Sequence, residues 1–266
     1  MDLTMTGQLE ITIVNSGSDG NSTLIRDVDT KKVLVMDVGV HAPPGLKYED
    51  VVGVCITHCH NDHVRYVHEY RTKTIYGTHD ELTNNKVLRN FEMYADDPDL
   101  YTLPNDMITE ECLECRVGPF TIKTIPANHD SDDPVHYIIS NGTTTFFYGC
   151  DASEYDTESP TWKAICACDA IMVDCNYSEH TMLTDDGVKQ AYTDELKKRI
   201  MSSGHASNEY IRKTFDGVVN KLILGHLSIK YNTTFKAQYI FSGTKAKIVD
   251  RRECPIRFKI GKKHVQ

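Results

Sequence analysis

The stretch Thr57-His58-Cys59-His60-Asn61-Asp62-His63 holds three imidazoles and one carboxylate, directly after the apolar run Val51-Val52-Gly53-Val54-Cys55-Ile56. Nitrogen and oxygen donors together suit zinc, and also manganese or iron. The apolar run is short, continuous and rich in β-branched residues, so it reads as a buried strand. The four donors therefore stand on the loop that leaves a core strand. A merely solvated polar loop is the bland alternative, and the density of donors argues against it.

Three other donors stand in the same kind of place. His129 follows the strand-like run 120–125, Asp151 follows 143–148, and His226 follows 221–224. Strand ends on one edge converge, so loops there build a single site. His205, in Ser203-Gly204-His205-Ala206-Ser207, lies between two helical stretches. Counting ligands, one metal takes His58, His60 and His129, and a second takes Asp62, His63 and His226. Asp151 bridges them with its two oxygens. Each ion keeps open positions, as a catalytic rather than a structural site requires. Two adjacent ions lower the pKa of a shared water and clamp both attacking and leaving oxygens. His41, His68, His79, His136, His180 and His264 lack such context and are assigned to the surface or to packing.

The elements that must position these donors follow from pattern. Strands are expected at 9–14, 22–26, 33–36 and 51–56, then a helix from about Val64. Residues 80–110 read as helix and polar loop, a lid or contact insertion. Strands return at 112–117, 120–125, 135–140 and 143–148, the last two joined by Asn141-Gly142, a type I′ hairpin signal. A strand at 170–174 precedes helical spacing at 187–202 and 207–219, with Ser207 as N-cap. After the strand 221–224 come a helix near 233–242 and strands near 246–250 and 255–260. Strands first, then alternating helix and strand, fits an α/β sandwich of two face-to-face sheets with helices outside. No linker divides the chain, so residues 1–266 read as a single domain.

Bulk properties narrow the class. The 266 residues are 40% hydrophobic and 25% charged, without an apolar stretch long enough for a transmembrane helix. No signal peptide is seen, and nine cysteines without a regular framework read as reduced thiols, so a cytoplasmic protein with no membrane partner is expected. Cys112-Leu113-Glu114-Cys115 has no second CxxC nearby, so no zinc ribbon is expected. The net charge is −9, yet residues 221–266 hold eleven Lys/Arg and two acids. The acidic body argues against indiscriminate nucleic-acid binding, and the basic segment leaves room for a phosphate-facing patch.

His58-x-His60-x-Asp62-His63, followed by His129, Asp151 and His226 in this order, resembles the metallo-β-lactamase superfamily. The resemblance spans nearly the whole chain, and Asp37 matches the strand-end aspartate of the first motif. Ser16-Gly17-Ser18-Asp19-Gly20-Asn21-Ser22, Gly204-His205-Ala206-Ser207-Asn208-Glu209 and Gly225-His226-Leu227-Ser228 are similar to the YycJ/WalJ-type exonucleases, and more distantly to RNase Z. The resemblance implies a four-layer αββα sandwich with a dinuclear site at its edge. It also implies that His205 stands near the scissile phosphate and helps the leaving group depart. Cys59 and Cys150 depart from the pattern, since a thiol beside a ligand can compete for zinc.

The expected activity is metal-assisted hydrolysis of a phosphodiester by two divalent ions, Zn²⁺ first, with Mn²⁺ or Fe²⁺ as alternatives. Asp62 ligates and orients the attacking water, and His205 donates a proton to the leaving oxygen. Small residues and backbone N–H groups in loop 16–22 are expected to cradle phosphate, with Ser18, Asn21, Ser207 and Ser228 as contacts. A nuclease acting on DNA ends leads the readings. A phosphodiesterase for small or cyclic nucleotides stays open, because phage-encoded relatives of RNase Z degrade cyclic nucleotide signals. A thioester or lactone hydrolase would leave His205 idle. The partner is thus a nucleic acid or nucleotide, and a homo-oligomer is compatible with the chain.

Overall fold

The structure, a computed structural model, describes residues 6–92, 114–217 and 221–261. Its first five strands are β1 (Leu9–Asn15), β2 (Ser22–Asp27), β3 (Val33–Met36), β4 (Val51–Cys55) and β5 (Ile75–Tyr76). They lie in one sheet in that order. A second sheet is built from β6 (Glu114–Val117), β7 (Phe120–Pro126), β8 (Val135–Ser140), β9 (Thr145–Gly149), β10 (Ala170–Asp174), β11 (Leu222–Gly225) and β12 (Lys247–Ile248). The last strand, β13 (Ile256–Ile260), returns to the first sheet and pairs antiparallel with β1, Ile11 opposite Phe258.

The apolar strands are continuous because both faces of each sheet are covered. Alternate side chains take opposite faces. In β3, Leu34 and Met36 enter the layer between the sheets, while Val33 and Val35 face outward. In β9, Phe146 and Tyr148 point inward and Phe147 outward. The outer face of the first sheet is covered by α1 (Asn61–Val64), α2 (His79–Thr83) and α3 (Asn85–Glu92), which contribute Val64, Leu82 and Val87. The outer face of the second receives Ile165 from α4 (Pro160–Cys166). Three more helices, α5 (Glu179–Thr184), α6 (Asp194–Arg199) and α7 (Asn208–Thr214), follow, and α7 adds Ile211 to that layer. The last helix, α8 (Thr234–Ile240), runs into Phe241, which packs there too. This is the expected αββα order of layers. Each fully buried Leu, Ile or Phe contributes roughly 1.5–3 kcal/mol, so the three apolar layers dominate folding.

Direction matters as much as layering. β3 and β4 are parallel, and β9, β10 and β11 are parallel. Two antiparallel steps give β7 the direction of β9. The C-terminal ends of these six strands meet at one edge of the sandwich, where open α/β sheets bind ligands.

Several local expectations are corrected. Asn141-Gly142 does not form a two-residue type I′ turn. Residues 141–144 form a four-residue loop closed on Ser140 and Thr145, and only Gly142 takes a positive φ, of 87°. The Asn141 side-chain oxygen accepts from the N–H groups of Thr143 and Thr144. The first helix starts at Asn61 rather than Val64, with His60 as its N-cap. The stretch 187–202 is helical only from Asp194, and from Ile200 to Gly204 it widens into a π-turn. Cys112, His264 and most of the expected insertion lie outside the described residues. Among those residues no helix is long and apolar enough to cross a membrane.

Candidate active site

Each strand end delivers its donor to the same edge. The loop after β4 and the start of α1 carry His58 to His63, and the loops after β7, β9 and β11 carry His129, Asp151 and His226. The ligand atoms of His58, His60 and His129 lie within 4.8 Å of one another, as do those of Asp62, His63, Asp151 and His226. Asp151 joins the two groups: its Oδ2 is 3.8 Å from His58 Nε2 and 3.0 Å from His63 Nε2, and its Oδ1 is 3.4 Å from His226 Nε2. The structure thus brings together every residue of the expected ligand sets.

Neighbouring groups fix which ring nitrogen faces inward. Asp37, fully buried, takes the Nδ1–H of His63 at 2.9 Å, as well as Thr57 N–H at 2.9 Å and Tyr148 O–H at 3.2 Å. The carbonyl of Gly204 takes the Nδ1–H of His129 at 2.7 Å. Thr57 Oγ1 lies 3.0 Å from His58 Nδ1. These partners leave the Nε2 atoms of His58, His63 and His129 to the interior, an arrangement common around metal-bound imidazoles. Asp37 therefore orients His63, a candidate ligand, and is not among the residues that border the cleft.

The electrostatics divide along the same line. Burial lowers the pKa of His58 well below the ordinary value, aided by His63 and His129. Burial likewise lowers His60, and pushes His129 down to about 4. These rings are neutral donors. For His63, burial is outweighed by Asp37 and Asp151, and its pKa is held well above the usual value. His226 is raised to about 9, because Asp151 and Asp62 overcome its burial. Burial works against the Asp151 carboxylate, yet His226 and His63 keep it well below the usual range. Asp62 is lowered too, against its burial, by His226 and His63.

Do these residues fit a metal? Among the described residues, His58 Nε2, His226 Nε2 and Asp151 Oδ1 are buried without any hydrogen-bond partner. Orphaned buried polar atoms are uncommon and demand an explanation. Three of them facing one small space, in a set of imidazole and carboxylate donors, fit divalent metal binding.

His205 stands beside this set on the rim. Its Nδ1 is 2.6 Å from Asp174 Oδ2, and its ring stacks on His226 with centroids 4.7 Å apart. Asp174 ends β10 and is fully buried; burial pushes its carboxyl up, opposed by His205. Asp174, His205, Asp151 and His226 also have donor atoms within 4.8 Å of one another. Sequence reasoning missed Asp174, although its position at a strand end matched Asp37 and Asp151.

It also missed Glu81. This buried carboxylate accepts Cys59 N–H at 2.6 Å, Ser131 O–H at 2.9 Å and Asp133 N–H at 2.8 Å. It thereby ties the His58–His60 loop to the loop that follows His129. Cys59 and Cys150 do not compete for a metal, because their side chains pack in the apolar layers.

The phosphate contacts need correction. Loop 16–22 spends its backbone and amide groups internally: Gly20 N–H reaches Gly17 O at 2.8 Å, and Asn21 N–H reaches Asp62 O at 2.7 Å. Asn21 is buried, and its side chain meets Asp62 Oδ2 at 3.3 Å and His63 Nε2 at 2.9 Å. Ser16 Oγ accepts His226 N–H at 2.9 Å. These bonds make the loop a brace for the site, and of its residues Ser18 lines the cleft. Ser207 is consumed as the α7 cap and as a donor to Glu179 at 2.7 Å. Ser228 does line the cleft, though its Oγ accepts Tyr231 N–H at 3.2 Å. The bracing is tight: a Cβ on Gly39 would fall 1.6 Å from the Asp62 carbonyl oxygen.

Above the donors opens a cleft of about 380 Å³, bordered by His60, Asp62, His129, His205 and His226. Lys86 and Arg199 stand on its rim, and Arg199 pairs with Asp130.

Comparison with known proteins agrees with this geometry. A family model described as the Beta-lactamase superfamily domain matches residues 35–221. The chain is 27% identical over 237 residues to Exodeoxyribonuclease WalJ of Streptococcus pneumoniae, covering 83% of this chain and 82% of that one. The metallo-β-lactamase fold protein YhfI from Bacillus subtilis superposes with a TM-score of 0.65 at 17% identity, over 95% of this chain and 99% of its own. The short form of human tRNase Z gives a TM-score of 0.62 at 12% identity, over 94% and 98%.

Proposed function

Since this chain belongs to the β-lactamase superfamily and has the metallo-β-lactamase hydrolase fold, we propose that it is a dinuclear metal-dependent phosphodiesterase, acting as a nuclease on DNA ends. One observation carries the reading: the His205–Asp174 pair stands on the same rim as the two donor groups that share Asp151. A phosphodiester needs both charge neutralisation at phosphorus and a proton for the departing oxygen. The similarity to an exodeoxyribonuclease supports DNA as the substrate.

His58, His60 and His129 would hold one ion, and Asp62, His63 and His226 the other, with Asp151 between them. Bound there, two divalent ions would supply an activated water and offset negative charge on the phosphoryl oxygens. The chain's own groups do the rest. Asp62, ionised and partly open to the cleft, orients the incoming water and accepts its proton. Asp174 takes the Nδ1–H of His205, so the Nε2 face of that ring is presented to the leaving oxygen. A thioester or lactone substrate would give this pair no task.

The modest cleft, of about 380 Å³, favours a second reading: a phosphodiesterase for small or cyclic nucleotides. Incubating metal-loaded protein with end-labelled duplex and with 3′,5′-cyclic nucleotides, with and without EDTA, separates the two. EDTA-sensitive shortening of the duplex from its ends is expected. Cleavage of cyclic nucleotides alone would replace the nuclease reading.

A further inference from the structure

The cleft has a second wall that hydrolysis of a phosphate does not use. Beside the donor groups it is lined by Tyr192, Leu196, Ile200 and Leu227. Leu196 and Ile200 stand one helical turn apart, on α6 and the π-turn that continues it. That π-turn also supplies the Gly204 carbonyl that holds His129, so the wall and a donor are tied to one segment.

Tyr192 is the built part of this wall. Its ring is half-buried and backed by the fully buried Tyr231, with centroids 4.7 Å apart and planes 34° from parallel. Its backbone N–H donates to Tyr231 O–H at 2.7 Å, and that hydroxyl donates to Asp185 at 2.9 Å. The exposed Lys230 extends over the ring, its Nζ 4.7 Å from the centroid. An aromatic ring packed against Tyr231, with a flexible cation over it, lines the same cleft as the donor groups.

We propose that this wall is a nucleobase subsite. The base attached to the nucleotide whose phosphate meets the metal-ligand groups stacks on Tyr192, with Leu196, Ile200 and Leu227 closing around it. Lys230 then leaves the ring for a phosphate oxygen. The identification rests on the phosphodiester reading of the site. Stacking chemistry selects a base over an aliphatic group, and every base has a π-face, so the subsite tolerates sequence. A base stack is also stronger than an exposed cation–π contact, so the exchange is favourable. The cleft volume is near the lower end for small-molecule sites, which suits one nucleotide unit.

The test compares two chromogenic esters on metal-loaded, full-length protein. Bis(p-nitrophenyl) phosphate has no base; the p-nitrophenyl ester of thymidine 5′-monophosphate has one. The ratio of their kcat/KM values is the readout, and the wild type should favour the nucleoside ester. Tyr192→Leu fills the space beside Tyr231 without an aromatic face. It should cut that preference about 5- to 150-fold, chiefly through KM, the range given by loss of one base stack. Tyr192→Phe should keep it. An unchanged preference in Tyr192→Leu, or an equal loss in Tyr192→Phe, overturns the subsite. Calorimetric binding of thymidine 5′-monophosphate against inorganic phosphate gives a readout independent of turnover. If neither ester is hydrolysed yet the nucleotide binds more tightly through Tyr192, the phosphodiesterase reading fails and the subsite stands. If nucleotide and phosphate bind alike, the subsite is refuted.

Discussion

Replacing Asp174 by Asn preserves the side chain's shape and removes its charge. The carboxylate oxygen lies 2.6 Å from His205 Nδ1 at the buried end of β10. A hydrogen bond to a charged partner contributes roughly 1.5–3 kcal/mol, against about 0.5–1.5 kcal/mol for a neutral one. The substitution therefore weakens the bond that holds His205 by about 1–2 kcal/mol, or about 5- to 30-fold in rate. Removing the donor itself, as His205→Ala, should cost about 10²–10⁴-fold. Because Asp174 acts through His205, the double variant should be no slower than His205→Ala alone. The assay is kcat on a thymidine dinucleotide, whose alcohol leaves only with a proton, beside a p-nitrophenyl ester, whose phenolate leaves without one. Both variants should be slow on the first and near wild type on the second. Equal slowing on both esters would refute the proton-donor role. Loss of bound metal in His205→Ala would do so too, and would make His205 a ligand, as its closeness to Asp151 and His226 permits.

Other outcomes follow from the same geometry. Asp62→Ala should lower both metal content, by elemental analysis, and turnover, since the proposed mechanism gives this residue both ligation and water. Metal binding near pH 7 should release about two protons, from His63 and His226, seen as buffer-dependent heats in calorimetry. In the metal-free protein the His226 pKa rises from 6.5 to about 9. Its stabilisation is full below the unfolded value and is lost as pH climbs through the folded one. The Tm of metal-free protein should thus fall between pH 6.5 and 9; a flat Tm there would count against the charged ring. Gly39→Ala should abolish activity and lower Tm, because its Cβ would lie 1.6 Å from the Asp62 carbonyl oxygen; wild-type turnover would contradict the bracing described.

The donors were readable because each is tied to a local signal. His58 to His63 form one contiguous motif, and His129, Asp151 and His226 each follow an apolar run. The layers were readable for the same reason, since strands covered on both faces lose their polar alternation. Asp174 was not legible: it ends the run Ala170–Val173 as a lone acid, and only the approach of His205 from 31 positions away gives it a role. Glu81 was hidden in the same way among the charged residues of a short helix. Asn21 and Ser207 were misread in direction, because side chains that look available in a loop are consumed by caps and braces once the fold closes. The Gly204 carbonyl, at the end of the π-turn, meets His129 from 75 positions away, and local spacing carries no trace of that contact.

Asp37, Asp151 and His226 all have left-handed backbone, with φ of 54°, 60° and 54°. For a residue with a Cβ this costs about 1–2 kcal/mol each. The site is therefore a place where foldability and chemistry pull apart. Glycine at 151 or 226 removes the donor and relaxes the backbone together, and the relaxation offsets part of the stabilisation lost with the Asp151–His226 pairing. A β-branched replacement at either position would mix lost chemistry with added strain. Glycine or asparagine is thus the clean control for these positions. A lineage that no longer needed the reaction would drift toward those two residues there before its sandwich core changed.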